Sequence, residues 1–176
     1  MKRMLLLNFI FISCFLFGQT NNVVTTILEG DGYTYVRKLS PSDMVHLYNQ
    51  ANQLTHVNLV YKDTGKRPPL HLREKRVEDE AWSYEKAREI VNNAFSLDQK
   101  LSVSDRLMMV SIYISSTTGR IMEVEFEFRG KGPFAQIPLS VFREIEVRLK
   151  EEVWFTLTEA GRKVNYVFFA WNHEVK

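Results

Sequence analysis

Several things that usually announce a function are missing from this chain. Its 176 residues contain a single cysteine, Cys14. That excludes an internal disulfide framework and leaves stability to the core. No GxSxG elbow, SxxK, Gly-rich phosphate loop or CxxC occurs, so no sequence motif marks an enzyme and no cofactor is expected. The histidines His46, His56, His71 and His173 have no metal-ligand spacing such as HxxxH, and read singly they are ordinary surface or half-buried side chains. Charge of one sign is lacking as well. Basic residues number 23 and acidic residues 21, and two of the basic ones are Lys2 and Arg3. Without those two the chain is neutral and has no field with which to gather nucleic acid. There is no internal repeat and no low-complexity tract.

Only one long hydrophobic run is present. Lys2 and Arg3 precede an almost wholly apolar stretch from Met4 to Phe17, which Gly18-Gln19 ends. This is the anatomy of a secretory signal peptide. At about 1.5 Å per residue the run reaches roughly 21 Å, short of the ~30 Å hydrocarbon core, and Asn8 interrupts it. Residues 1–18 are therefore read as a signal peptide and 19–176 as one α+β domain, with a mixed part over 19–100 and a second part over 101–176. The expected location is periplasmic or extracellular, with no membrane span after cleavage. The alternative is a lipoprotein through Cys14, although Phe11-Ile12-Ser13-Cys14 is a poor lipobox.

The second part is the better patterned. Arg106–Ile114 is rich in β-branched and aromatic residues, and Ser115-Ser116-Thr117-Thr118-Gly119 reads as a turn. From Ile121 to Phe128, Met122, Val124, Phe126 and Phe128 alternate with Glu123, Glu125 and Glu127. Period two predicts a half-buried strand with its glutamates in water, paired with the first as a hairpin. Ser140 to Phe155 predicts a helix with Phe142, Ile145, Leu149 and Val153 as its apolar stripe. Lys163–Trp171 predicts a third strand. In the first part, Val23–Leu28 and Tyr33–Lys38 flank Gly30-Asp31-Gly32 as a hairpin. Ser40 to Leu54 reads as a helix with Met44, Leu47, Tyr48, Ala51 and Leu54 on one face. Val57–Tyr61 reads as a short strand, 62–76 as an exposed loop, and Ser83 to Phe95 as a helix. The fold class expected is an antiparallel sheet with helices packed on one face.

The strand–strand–helix–strand order resembles the C-terminal domain of TonB-type proteins. The resemblance is carried by Met109–Ile114, Gly119-Arg120-Ile121, Phe126-Glu127-Phe128, the Phe142–Val153 helix and Val164–Trp171. It covers about 70 residues and implies the fold of that part. Over its full length, through the Phe-Gly-Gln signal ending and the Pro138–Phe142 and Asn165–Trp171 segments, the chain resembles small exported Bacteroidetes proteins of unknown function. That likeness implies a compartment.

Candidate surfaces are few. Glu123, Glu125 and Glu127 would suit Ca²⁺ or act as a carboxylate pair, though a solvated strand face is the commoner explanation. Glu78-Asp79-Glu80 reads as a solvated helix start. In the 62–76 loop, Lys62, Lys66, Arg67, Arg73, Lys75 and Arg76 outnumber Asp63 and Glu74. That excess suits an anionic glycan, a lipid head group or an acidic partner. On the last strand, Val167, Phe169 and Trp171 form a second apolar face beside the core-facing Tyr166, Phe168 and Ala170; either the N-terminal helices bury that face, or Trp171 is the anchor for a partner strand added at the edge. The function expected is an exported, non-enzymatic binding or interaction module whose partner is a protein or cell-envelope component. The alternative is a ligand carrier or enzyme with a closed cavity above ~300 Å³ and converging His, Asp or Glu.

Overall fold

The computed structural model of the protein describes residues 23–69, 74–78 and 81–176. Six strands form one antiparallel sheet: β1 (Val24–Gly30), β2 (Tyr33–Leu39), β3 (Met44–Asn49), β4 (Leu107–Ser115), β5 (Ile121–Arg129) and β6 (Tyr166–Glu174). Their order across the sheet is β1-β2-β3-β5-β4-β6. Each half of the chain supplies three neighbouring strands, and the halves are joined where β3 pairs with β5. Helices α1 (Ala81–Asn93), α2 (Leu97–Val103), α3 (Leu139–Glu152) and the short α4 (Glu159–Arg162) complete the α+β fold. Among the described residues no helix is long and apolar enough to cross a membrane.

The β4–β5 hairpin forms where the alternation predicts it. Gly119 in its turn has φ +74°, and a Cβ there would lie 2.0 Å from the Phe155 carbonyl oxygen, so only glycine fits. Val110, Ile112, Val124 and Phe126 point to the helical side and are fully buried. α3 lays Phe142, Ile145 and Leu149 against them, and Phe142 meets Phe126 and Phe128 at 5.1 and 5.5 Å between ring centroids. α3 also touches β1, three strands beyond β5, so the sheet curls around this helix. Ser83 does not cap α1. It lies inside the helix, buried, and its hydroxyl donates to the Trp154 carbonyl at 2.7 Å.

Two expected elements are replaced. The helix over Ser40–Leu54 is instead a turn followed by β3. Pro41 sits in a reversal closed by Ser40 N–H to the Met44 carbonyl at 2.8 Å, with Asp43 at φ 63°. The helical stripe misled because both faces of β3 are covered: Leu47 is buried against the helices and Tyr48 on the opposite side, so adjacent apolar residues here do not mean a helix. Val57–Tyr61 is irregular apart from one bridge, Tyr61 to Val164. The short helix α2, outside the elements expected from the sequence, is opened by a capping box between Ser96 and Gln99.

A fully buried carboxylate pins α3 to the curled strands. Glu146 accepts from Tyr35 Oη, Asn49 Nδ2 at 3.1 Å, Arg143 Nη1 at 3.0 Å and Lys150 Nζ. Burial pushes its pKa upward, but the bonds from Lys150, Tyr35 and Asn49 outweigh that and hold it below the ordinary carboxylate range.

Candidate ligand cleft

The side of the sheet away from the helices is also polar, but it is not open water. The chain between β3 and the bridge at Tyr61 crosses it and is tied down by side chains of the C-terminal strands. Glu123 accepts from the backbone N–H of Gln53 at 2.7 Å and of Leu54 at 2.8 Å. Asn52 Nδ2 donates to the Val124 carbonyl at 3.1 Å, and Tyr166 Oη donates to the Val57 carbonyl at 2.6 Å. Asn165 exchanges bonds with Val60 and Asn58. The expectation of a wet glutamate face is therefore corrected: Glu123 and Glu125 are only 8% and 7% exposed. Alternation placed these residues on one face, but it could not reveal a loop from elsewhere in the chain covering that face.

Beside this loop lies a cleft of about 430 Å³. Two rows of directly paired residues form its floor: Lys38, His46 and Glu127 in one, and Tyr48, Glu125 and Ser111 in the other. Thr55 and His56 come from the loop, and Val23 and Phe168 close the sides. His46 Nδ1 lies 3.0 Å from Glu125 Oε1 and 3.6 Å from Glu127 Oε2. Tyr113 Oη donates to the other oxygen of Glu125 at 3.3 Å. Burial and the Glu125 carboxylate push the Tyr113 phenol well above its ordinary pKa, so it remains a donor. Burial also raises Glu127; His46 pulls it down, and Glu125 raises it further. On the far wall, His56 Nε2 meets Lys38 Nζ at 2.8 Å and Tyr48 Oη at 3.3 Å. The Thr55 hydroxyl oxygen is shielded from solvent and has no hydrogen-bond partner among the described residues.

Of the two readings of the last strand, burial of the Val167, Phe169 and Trp171 face by helices is the one the structure shows, while Phe168 is not in the core. β6 is an edge strand, as anticipated. Val167 is 3% exposed within the core, and Phe169 and Trp171 pack against that core on the helical side. Phe168, expected inside, is 44% exposed and meets Tyr113 edge-on at 5.3 Å. Val167 in the middle of the run is drawn into the larger core beneath the helices, and period two then fixes every other residue. An edge-bound partner would therefore not find Trp171 as an outward anchor. In the basic loop, Lys66 and Arg67 are exposed, with Arg67 Nη2 bonded to Asn58 Oδ1 at 2.5 Å, while Arg76 is half-buried with its Nε shielded and without a partner among the described residues. Arg73, His71, Asp79, Glu80 and the signal segment with Cys14 lie outside the described residues.

In the sequence His46, Glu125 and Glu127 each stand out, but nothing there connects them. The available signal was paired alternation, since a strand reading of 44–49 would have set His46 and Tyr48 on one face. The intervening sequence separation of about 80 residues conceals the rest.

A search of curated proteins gives no match. The fold does have a solved counterpart. A crystal structure at 1.85 Å resolution of a DUF5043 family protein from Bacteroides uniformis ATCC 8492 superposes with a TM-score of 0.82 at 38% sequence identity, covering 86% of each chain. The model of DUF5043, a domain of unknown function, matches residues 20–171, nearly the whole of the described fold. This chain belongs to the DUF5043 family.

Proposed function

We propose that this protein is an exported small-ligand carrier, the alternative that the sequence leaves open, whose ligand seat is the cleft on the helix-free face of the sheet. The observation that supports this reading is convergence: Lys38, His46, Tyr48, His56, Tyr113, Glu125 and Glu127 line one cleft of about 430 Å³. That volume falls in the range of small-ligand pockets, and rigid strands hold most of the polar groups. The Thr55 hydroxyl at the same cleft, without a partner among the described residues, is a polar atom that a bound molecule would satisfy. Export is supported by the charged and apolar anatomy of residues 1–18.

The arrangement argues against Ser111 as a nucleophile with His46 as its base. Ser111, His46 and Glu125 share the cleft, which invites comparison with a serine hydrolase. However, Ser111 lies on β4 and His46 on β3, with β5 and Glu125 between them. Two strand spacings, about 9.5 Å, separate the hydroxyl-bearing strand from the imidazole-bearing one. A base must lie within about 3 Å of its nucleophile, with the acid behind the base and not between the two.

The test is amide chemical-shift mapping of metal-free protein, residues 19–176, against a library of polar fragments below about 250 Da. Shifts concentrated at Lys38, His46, Thr55, Ser111 and Glu125 are expected. Shifts confined to the outer edge of β6, or to the 62–69 loop, would replace the cleft with a surface-docking function.

A further inference from the structure

We infer that His46, Glu125 and Glu127 bind one divalent transition-metal ion of the zinc class at the floor of the cleft. This rests on the cleft reading and names one component of what the cleft holds.

Geometry carries the inference. One ligand atom from each residue can be chosen so that all three lie within 4.8 Å of one another. Donors around a tetrahedral zinc, at bond lengths of 2.0–2.1 Å, stand about 3.4 Å apart. The separations from His46 Nδ1, 3.0 Å to Glu125 and 3.6 Å to Glu127, bracket that value. The three side chains stand on two directly paired strands, with His46 opposite Glu127 and Glu125 two residues along. Their spacing is therefore set by the sheet and does not depend on a loop.

Charge and surroundings agree. Two carboxylates and one imidazole neutralise a dication. The nearest lysine of the row, Lys38, is bonded to His56 at 2.8 Å instead. The Glu125 and Glu127 side chains are 9% and 18% exposed, so water screens them poorly. Tyr113 Oη holds one oxygen of Glu125 and leaves the other facing His46, the outer-shell support that metal carboxylates commonly have. The imidazole decides the class. Ca²⁺ and Mg²⁺ seek six or more oxygens, whereas a mixed nitrogen and oxygen set suits Zn²⁺, Co²⁺ or Ni²⁺. Three protein ligands leave a coordination position open toward the cleft, where a ligand's own donor atom can enter.

The experiment is calorimetric titration of chelator-stripped protein with Zn²⁺ and, separately, Ca²⁺ in a non-coordinating buffer at pH 7. It is repeated on His46→Gln, Glu127→Gln and Tyr113→Phe. One Zn²⁺ per chain is expected, weakened at least tenfold in His46→Gln and Glu127→Gln, weakened less in Tyr113→Phe, with Ca²⁺ binding far more weakly. Co²⁺ loading of the unmutated protein adds a readout that needs no variant: a visible absorption band of a nitrogen- and oxygen-ligated ion that Zn²⁺ displaces. Absence of Zn²⁺ binding, unchanged affinity in both ligand variants, or equal affinity for Ca²⁺ would overturn the inference. Because fragment mapping uses metal-free protein, shifts there without metal binding would remove the metal alone. Metal binding without fragment shifts would remove only the organic ligand.

Discussion

Glu123→Ala should loosen the wall of the cleft more than any other single change on that face. The carboxylate accepts from two consecutive backbone amides, Gln53 at 2.7 Å and Leu54 at 2.8 and 3.0 Å, and is only 8% exposed. Hydrogen bonds to a charged acceptor are worth about 1.5–3 kcal/mol each, which gives an upper limit near 6 kcal/mol. Gln53 is exposed and Leu54 half-buried, so water recovers part of the loss once the loop lifts. A net destabilisation of about 2–4 kcal/mol is therefore expected, a large share of the ~5–15 kcal/mol that holds a domain together. Glu123→Gln keeps one oxygen for the amides but gives up the charge, and it should recover about half. Urea unfolding measures the free energy, and hydrogen exchange at Gln53 and Leu54 measures the loop. Glu144→Ala, an exposed change on α3, serves as the reference and should stay within about 0.5 kcal/mol. If Glu123→Ala matches that reference while both amides remain protected, Glu123 is not what holds the loop.

Two further outcomes follow from the core and from the C-terminal strand. Phe126→Ala and Leu149→Ala, both at fully buried positions between β5 and α3, should each cost about 2–5 kcal/mol in the same unfolding assay, and a value below 1 would place them outside the core. His173 is buried and bonded to Asn92 Oδ1 at 3.1 Å; burial, together with Arg88 and Lys176, lowers its pKa from 6.5 to about 4. Because the unfolded chain takes up this proton first, its contribution is complete above pH 6.5 and is lost as pH falls from 6.5 toward 4. His173→Gln should flatten the stability profile in that window by up to about 3 kcal/mol relative to the unmutated chain. Parallel profiles would show that the histidine is not buried neutral.

Both hairpins, the helix under them and the last strand were legible, since each depends on local period or on turn residues. What escaped depends on distant segments. β3 looked helical because Tyr48 is buried by a loop on one face while Leu47 is buried by helices on the other. Glu125 looked wet for the same reason, and Glu125→Ala, which local reading makes harmless, in fact strips His46 and Tyr113 of a partner. On β6 an apolar run with residues on both faces gave no internal signal of which side the helices would take. The candidate site combines a misread strand, a hidden glutamate row and the loop laid over both. Its residue types were visible, but their convergence was not.

The seam between β3 and β5 also sets a timetable. Leu47 pairs with Phe126, and Val45 with Phe128, so the centre of the sheet closes only across about 80 residues of chain. As the chain emerges from its N-terminus, the β1–β3 meander can form early. Its inner edge, carrying Val45 and Leu47, must then wait unpaired until β5 has been made. Such non-local closure slows folding, and an unpaired apolar strand edge is an invitation to mispairing. A chaperone or holding factor would therefore find its best target in the meander, in the interval before residue 129 has been made.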